Sequence, residues 1–214
     1  MLTLKKIAIT GGLSCGKSTV CRFLGECGAY VVSADDIVHQ LLSPDTSLGQ
    51  QVIELLGSDI VVNGVIDRRL IAAKVFGHPD RLGALEGLVH PAVRVEINRR
   101  FEEVATQNSH KLFVAEIPLL FEGGFQDYYD TTVAVVADSD LCLERFKAKT
   151  GHNREEFDRR MARQWTPVQK AHQADFVIEN TGKIEELRSA VQELYKQLTF
   201  EPPREKCETN TPSE

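Results

Sequence analysis

An α/β fold on a five-stranded parallel sheet is predicted for this 214-residue chain, and three observations predict it. Short β-rich runs recur between helical segments, which places strands in parallel with helices covering both faces. The first run leads straight into a glycine-rich loop and then a helix. Between the second and third runs lies a stretch, 48–107, with helical patterning and no convincing buried strand, so it reads as a helical insertion.

The elements follow in order. Residues 6–10 read as a short buried strand. Residues 16–27 read as a helix stopped by Gly28. The run AYVVSA (29–34) is strand-like, and DDIVHQLL (35–42) is a helix closed by Pro44. Ser47 and Gln50 have capping-box spacing before VIELL, and Gly57 follows. Asn63-Gly64 is a turn, and Asp67 caps a helix that ends near Gly77. A long helical stretch then runs from 80 to about 107, interrupted at His90-Pro91. Residues 112–117 and 131–137 are the third and fourth strands. Helical segments with breaks at Gly151 and Pro167 follow. Residues 175–180 are the fifth strand and 184–198 the last helix. The polar, proline-bearing residues 201–214 are expected to be disordered.

The totals narrow the class. With 42% hydrophobic and 26% charged residues the chain is globular rather than disordered or membrane-embedded. No apolar run approaches the roughly 20 residues that span a bilayer. Residues 1–10 are too short for a signal peptide, so a cytoplasmic location is expected. A net charge of -6 argues against general affinity for nucleic acid or anionic membrane, though not against a local basic pocket. The five cysteines (Cys15, Cys21, Cys27, Cys142 and Cys207) are odd in number and form no CxxC pair. They read as reduced thiols rather than a zinc site or disulfide framework.

Gly11–Ser18 fits G-x-x-x-x-G-K-[ST], the P-loop pattern, in the right strand–loop–helix context. Gly11, Gly12, Leu13, Ser14, Cys15 and Gly16 curl so that successive N–H groups face phosphate oxygens. The helix that begins there adds its positive end, followed by Thr19 in its first turn. Lys17 reaches the β- and γ-phosphates, and the Ser18 hydroxyl can ligate Mg²⁺. The loop therefore holds a nucleoside triphosphate, within a three-layer P-loop NTPase fold. Residues 1–47 and 108–200 form its nucleotide-binding core, with a smaller helical segment at about 138–172 between the fourth and fifth strands. Cys15 reads as a small residue filling the loop. A helix N-terminus can also lower a thiol's pKa, which raises the prospect of oxidative inhibition that ATP prevents.

The fate of the γ-phosphate depends on carboxylates. Asp35 and Asp36 follow the second strand, near the sheet's carboxyl edge and beside the loop, a good place for a base. Helix capping is the competing role, and it suits Asp36 better. Glu116 ends the third strand as a Walker-B-like carboxylate would; it acts on Mg²⁺ directly or through water, or it bonds local backbone. Arg145, Lys147, Lys149, Arg154, Arg159, Arg160 and Arg163 form either a solvated helix face or a lid, one or two of whose residues bring charge onto ATP.

Five ordered motifs resemble those of the dephospho-coenzyme A kinase family: TGGLSCGKSTV, SADDIVHQLL, RRLIAAKVF…LGALEGLVHPAV, EIPLLFE, and ERFKAKTG…RRMARQ…ADFVIENTG. They span about residues 7–198, and the resemblance implies a P-loop core, a helical substrate-binding insertion at 48–107 and a helical lid at about 138–172. The resemblance implies transfer of the ATP γ-phosphate to the ribose 3′-hydroxyl of dephospho-coenzyme A, with Mg²⁺, on a monomer or weak homo-oligomer. It implies that Asp35 is the catalytic aspartate and Arg145 a lid arginine facing ATP. Asn180 and Gly182 would shape the adenine pocket, and Arg68, His90 and Pro91 belong to motifs of the helical domain. His90 is expected to hold structure or substrate rather than move a proton. Pro118 and the LLFEGGF loop would shape the substrate entrance, with Phe121 and Phe125 there or in the core. Ser33 stands where the family's D-A-D segment has its first aspartate. Glu116 replaces a strand-end aspartate, and Lys149 a frequent second lid arginine.

Two other readings stay open. One is a nucleoside or nucleotide kinase of the same class. The other is a GTPase-like switch, for which DRLG (80–83) supplies a DxxG match, but no strand precedes it and no NKxD signature accompanies it.

Overall fold

The computed structural model describes residues 3–200; the expected disorder of 201–214 lies outside them. The elements run β1 (Lys5–Gly11), α1 (Lys17–Glu26), β2 (Tyr30–Ser33), α2 (Ala34–Leu41), α3 (Ser47–Leu56), β3 (Val61–Val62), β4 (Val65–Ile66), α4 (Arg68–Val75), α5 (Pro79–Gln107) and β5 (Leu112–Glu116). Then come β6 (Thr131–Val136), α6 (Ser139–Thr150), α7 (Arg154–Met161), α8 (Pro167–Gln173), β7 (Phe176–Glu179) and α9 (Ile184–Phe200). The main sheet is ordered β2-β5-β1-β6-β7, with every neighbouring pair parallel.

Strand side chains alternate between two cores, as the period of two requires. Ile7, Ile9, Leu112 and Val114 face one layer, built from Phe23 and Leu24 of α1, Phe146 of α6 and Val191 and Leu194 of α9. Ala8, Phe113 and Ala115 face the other, where Ile37 of α2 and Val93, Ile97 and Val104 of α5 pack. Burial on both faces explains why these strands read as continuous apolar runs. A third cluster, Leu48, Val52, Leu56, Ile60, Ile66 and Ile71, joins α3, the β3–β4 hairpin and α4 to the first half of α5.

Two local expectations change, and a third is kept in a new setting. Thr46, not Ser47, caps α3: its backbone is extended and its Oγ1 accepts the Gly49 N–H at 3.0 Å. Asn63-Gly64 does make a turn, but between two paired strands, because both residues take positive φ (52° and 78°), as a tight hairpin turn demands. Finally, α5 runs unbroken through Pro91. Proline inside a helix costs about 3 kcal/mol. Here Leu85, Leu88 and Val89 before it pack into the third cluster, while Val93 and Ile97 after it pack on the sheet. Those contacts keep both halves on one axis.

Candidate active site

The phosphate loop leaves the central strand. A Cβ on Gly11 would fall 2.3 Å from the Val135 carbonyl oxygen, and one on Gly16, whose φ is +103°, 2.1 Å from Asn180 Nδ2. Neither position admits a larger residue without moving its neighbour. Asn180 fixes the turn from behind: its Nδ2 donates to the Cys15 carbonyl at 2.8 Å, and its own N–H donates to Val136 at the end of β6. Lys17 opens α1, and its buried Nζ donates to the carbonyls of Gly11 (3.1 Å) and Gly12 (2.8 Å). No acidic residue occupies the first turn of α1, which leaves its positive end open to an anion.

The carboxylates stand beside it. In the sheet register Glu116 pairs with Ile9 on one side and Ser33 on the other. Glu116 Oε1 accepts a hydrogen bond from Ser18 Oγ at 2.9 Å, so its partner is the loop's own hydroxyl rather than local backbone. Burial pushes the Glu116 pKa up; the Ser18 bond and the Lys17 charge pull it down, and the charges of Asp35 and Asp36 push it up further. Ser33 caps α2, accepting the Asp36 N–H on its Oγ at 3.2 Å. Asp36 is thus the capped residue, not the cap. Asp35, in the same first turn, lines the cavity in front of the loop.

That cavity holds about 900 Å³, near the upper end of the roughly 300–1,000 Å³ typical of ligand sites. The loop from Leu13 to Thr19 forms its floor, apart from Cys15. One wall carries Arg145, Lys149, Arg160 and Arg163; Arg145 Nη1 donates to the Asn180 carbonyl at 3.2 Å. The opposite wall is the α5 face of Val89, His90, Val93, Arg94 and Ile97. The His90 ring meets Phe125 edge-on, 5.2 Å between centroids. Pro118 lies between the walls, its carbonyl accepting from Thr10 Oγ1 (3.1 Å) and Lys170 Nζ (2.6 Å).

Most expected site residues therefore converge on one space: Ser18, Asp35, Glu116, His90, Pro118, Arg145 and Asn180 all line it, as does Lys17. Gly11 and Gly12, which open the loop, are buried and do not line the space. Two residues are placed elsewhere. Arg68 is exposed at the start of α4 and does not line the cavity. Gly182 precedes α9; its lack of a side chain makes room for Glu186, whose Oε2 accepts the Lys183 N–H at 3.0 Å. The Cys15 thiol is 2% exposed, and burial raises its pKa, which opposes the thiolate that a helix N-terminus would favour.

Sequence reasoning missed Arg94 and Tyr128, whose Nη1 and Oη are 2.7 Å apart on the α5 side of the cavity. Arg94 had a legible signal: it lies one helical turn after His90 and shares its face. Glu122 ends the EIPLLFE motif, but its contact with Lys170 behind Pro118 had no signal, because the pairing is purely tertiary.

A phosphate loop at the centre of a parallel sheet, carboxylates on the adjoining strand end and helix, and a cationic wall facing a helical one make this a P-loop kinase. Shikimate kinase from Bacteroides thetaiotaomicron shares the fold, with a TM-score of 0.51 at 14% identity over 91% of this chain and 98% of that one. The profile of the dephospho-CoA kinase family matches residues 5–186. A dephospho-CoA kinase of Protochlamydia amoebophila is 48% identical over 199 residues, 92% of this chain and 98% of that protein. The crystal structure of TT1252 from Thermus thermophilus superposes with a TM-score of 0.78 at 34% identity, covering 92% and 98% of the two chains. The chain belongs to the dephospho-CoA kinase family.

Proposed function

We propose that ATP and dephospho-coenzyme A meet in this cavity, with the triphosphate on the Gly11–Thr19 loop and the acceptor against Asp35 and the α5 wall. As a dephospho-CoA kinase the chain moves the γ-phosphate of ATP to the ribose 3′-hydroxyl, giving coenzyme A and ADP. The observation that carries the site assignment is that Lys17 and Asp35, at the heads of α1 and α2, line one space with Glu116 on the strand between them.

Lys17 exchanges its bonds to the Gly11 and Gly12 carbonyls for the β- and γ-phosphates, and the loop amides hold the rest of the chain. Asp35 accepts the proton of the 3′-hydroxyl as that oxygen attacks. Arg145, already held by the Asn180 carbonyl, adds charge to the transferring group, with further cations from α6 and α7. His90 and Pro118 shape the acceptor side, and Arg68 lies away from this space.

Mg²⁺ fits the donors present. The Ser18 hydroxyl and the Glu116 carboxylate are hard oxygen ligands within hydrogen-bond distance of each other. Among the described residues no group of three acidic, histidine or cysteine side chains forms a cage, which matches an ion held largely by phosphates and water. When bound, the ion supplies positive charge on the β- and γ-phosphates. The acid-favouring environment of Glu116 is the field such a charge would relieve.

No described helix is long and apolar enough to cross a membrane. The DRLG segment lies inside α5, where no strand delivers it to the loop, so a GTPase switch has no structural counterpart. The test is direct. Purified protein with Mg-ATP and dephospho-coenzyme A is expected to yield coenzyme A and ADP in equal amounts, with nucleosides poor acceptors. Phosphorylation of nucleosides in preference to dephospho-coenzyme A would overturn the reading.

A further inference from the structure

The terminal glutamate of EIPLLFE has no part in the chemistry above, yet it sits in an unusual contact. Lys170, on α8, is 0% exposed, and its ammonium meets Glu122 Oε1 at 2.9 Å. The same ammonium donates to the Pro118 carbonyl at 2.6 Å, which Thr10 Oγ1 of β1 also reaches. Glu122 Oε1 in turn accepts the backbone N–H of Trp165 at 2.7 Å, and the Trp165 ring lies flat on Phe121, 5.9 Å between centroids. Trp165 belongs to the short link between α7 and α8. The two residues before it, Arg163 and Gln164, line the cavity, as does Arg160 on α7.

A buried ion pair is weak evidence of stability, because desolvating both charges offsets most of their attraction; where such a pair persists, fixing one geometry is a stronger reason. This pair joins three things that must agree during transfer: the end of the phosphate strand, the Pro118 wall, and the link that carries the cations of α7. We propose that Glu122 and Lys170 are positioning residues that seat the cationic wall against the acceptor wall. They act through Trp165 and Pro118 and touch neither substrate. The inference rests on the kinase reading of the cavity and assigns its geometry to a pair outside it. Burial pushes the Lys170 pKa down, and its bond to Glu122 opposes that shift only in part.

The test is the double variant Glu122→Gln/Lys170→Met, which leaves an amide oxygen for the Trp165 N–H but removes both charges and the bond to Pro118. Its kcat per folded molecule, at saturating ATP and dephospho-coenzyme A, is expected to fall at least about tenfold. The dissociation constant for ATP should stay within about threefold. A kcat within about twofold of the wild type, whatever happens to Tm, would overturn the proposal. So would a loss confined to the two KM values. If the double variant does not fold, Glu122→Gln alone is judged by the same two readouts. A wild-type protein that makes no coenzyme A would refute the kinase reading instead, and is scored before any variant.

Discussion

Glu116 Oε1 lies 2.9 Å from Ser18 Oγ, a bond that joins the end of β5 to the first turn of α1. It couples the strand edge to the phosphate loop, and it makes Glu116 the place where stability and activity pull apart. Burial raises its pKa above the ordinary 4.5. A carboxyl raised in the folded state gives its full stability below the unfolded value and loses it as pH rises through the folded one. Glu116→Gln removes that loss. Its urea midpoint is expected to exceed the wild type's at about pH 7.5 and to match it at about pH 4. Its kcat should fall at least about tenfold. Equal destabilisation at both pH values would contradict the assignment.

Asp35 carries the proposed proton transfer. Asp35→Asn keeps the size and the helix position and removes the base, so turnover should drop by about 10²-fold or more with ATP affinity nearly intact. Calorimetric titration with ATP and initial-rate measurements separate the two. Unchanged turnover would remove Asp35 from that role.

Ser33 has a purely local task, accepting the Asp36 N–H at the start of α2. Ser33→Ala should cost about 1 kcal/mol of unfolding free energy, and Ser33→Asp, which caps as well, should cost little. Equal losses in urea titrations of the two variants would show that capping is not what Ser33 does.

Cys15 is buried and its thiol is pushed toward the protonated form. Native protein should therefore react with iodoacetamide at Cys15 at least about tenfold more slowly than unfolded protein, and brief peroxide exposure should leave activity unchanged. Rapid loss of activity that ATP prevents would reverse this.

Part of this is legible in the sequence. The phosphate loop is a contiguous string whose spacing, glycines and flanking patterns are all local, so Gly11–Ser18 announced its place between β1 and α1. The inner strands β1, β5 and β6 were legible because parallel strands buried on both faces appear as unbroken apolar runs. The break expected at His90-Pro91 failed for the opposite reason. Proline's penalty is local, but the packing of Leu88 and Val93 into two different clusters, which outweighs it, is not. The cap of α3 moved to Thr46 because three neighbouring hydroxyl residues, Ser43, Thr46 and Ser47, compete there, and only the backbone path selects among them.

The chain's order of residues alone determined that a phosphate-loop motif follows the first strand and that an aspartate follows the second. Backbone conformation and apolar periodicity are encoded within a few residues of each other. Only the tertiary structure decided that Glu116 meets Ser18, that Asn180 holds the loop and Arg145 together, that Arg68 stays in solvent, and that Lys170 lies buried against Glu122. Those contacts join residues dozens to more than a hundred positions apart. The order of parallel strands and the packing of helices on them set such distances, and no short stretch of sequence contains that information.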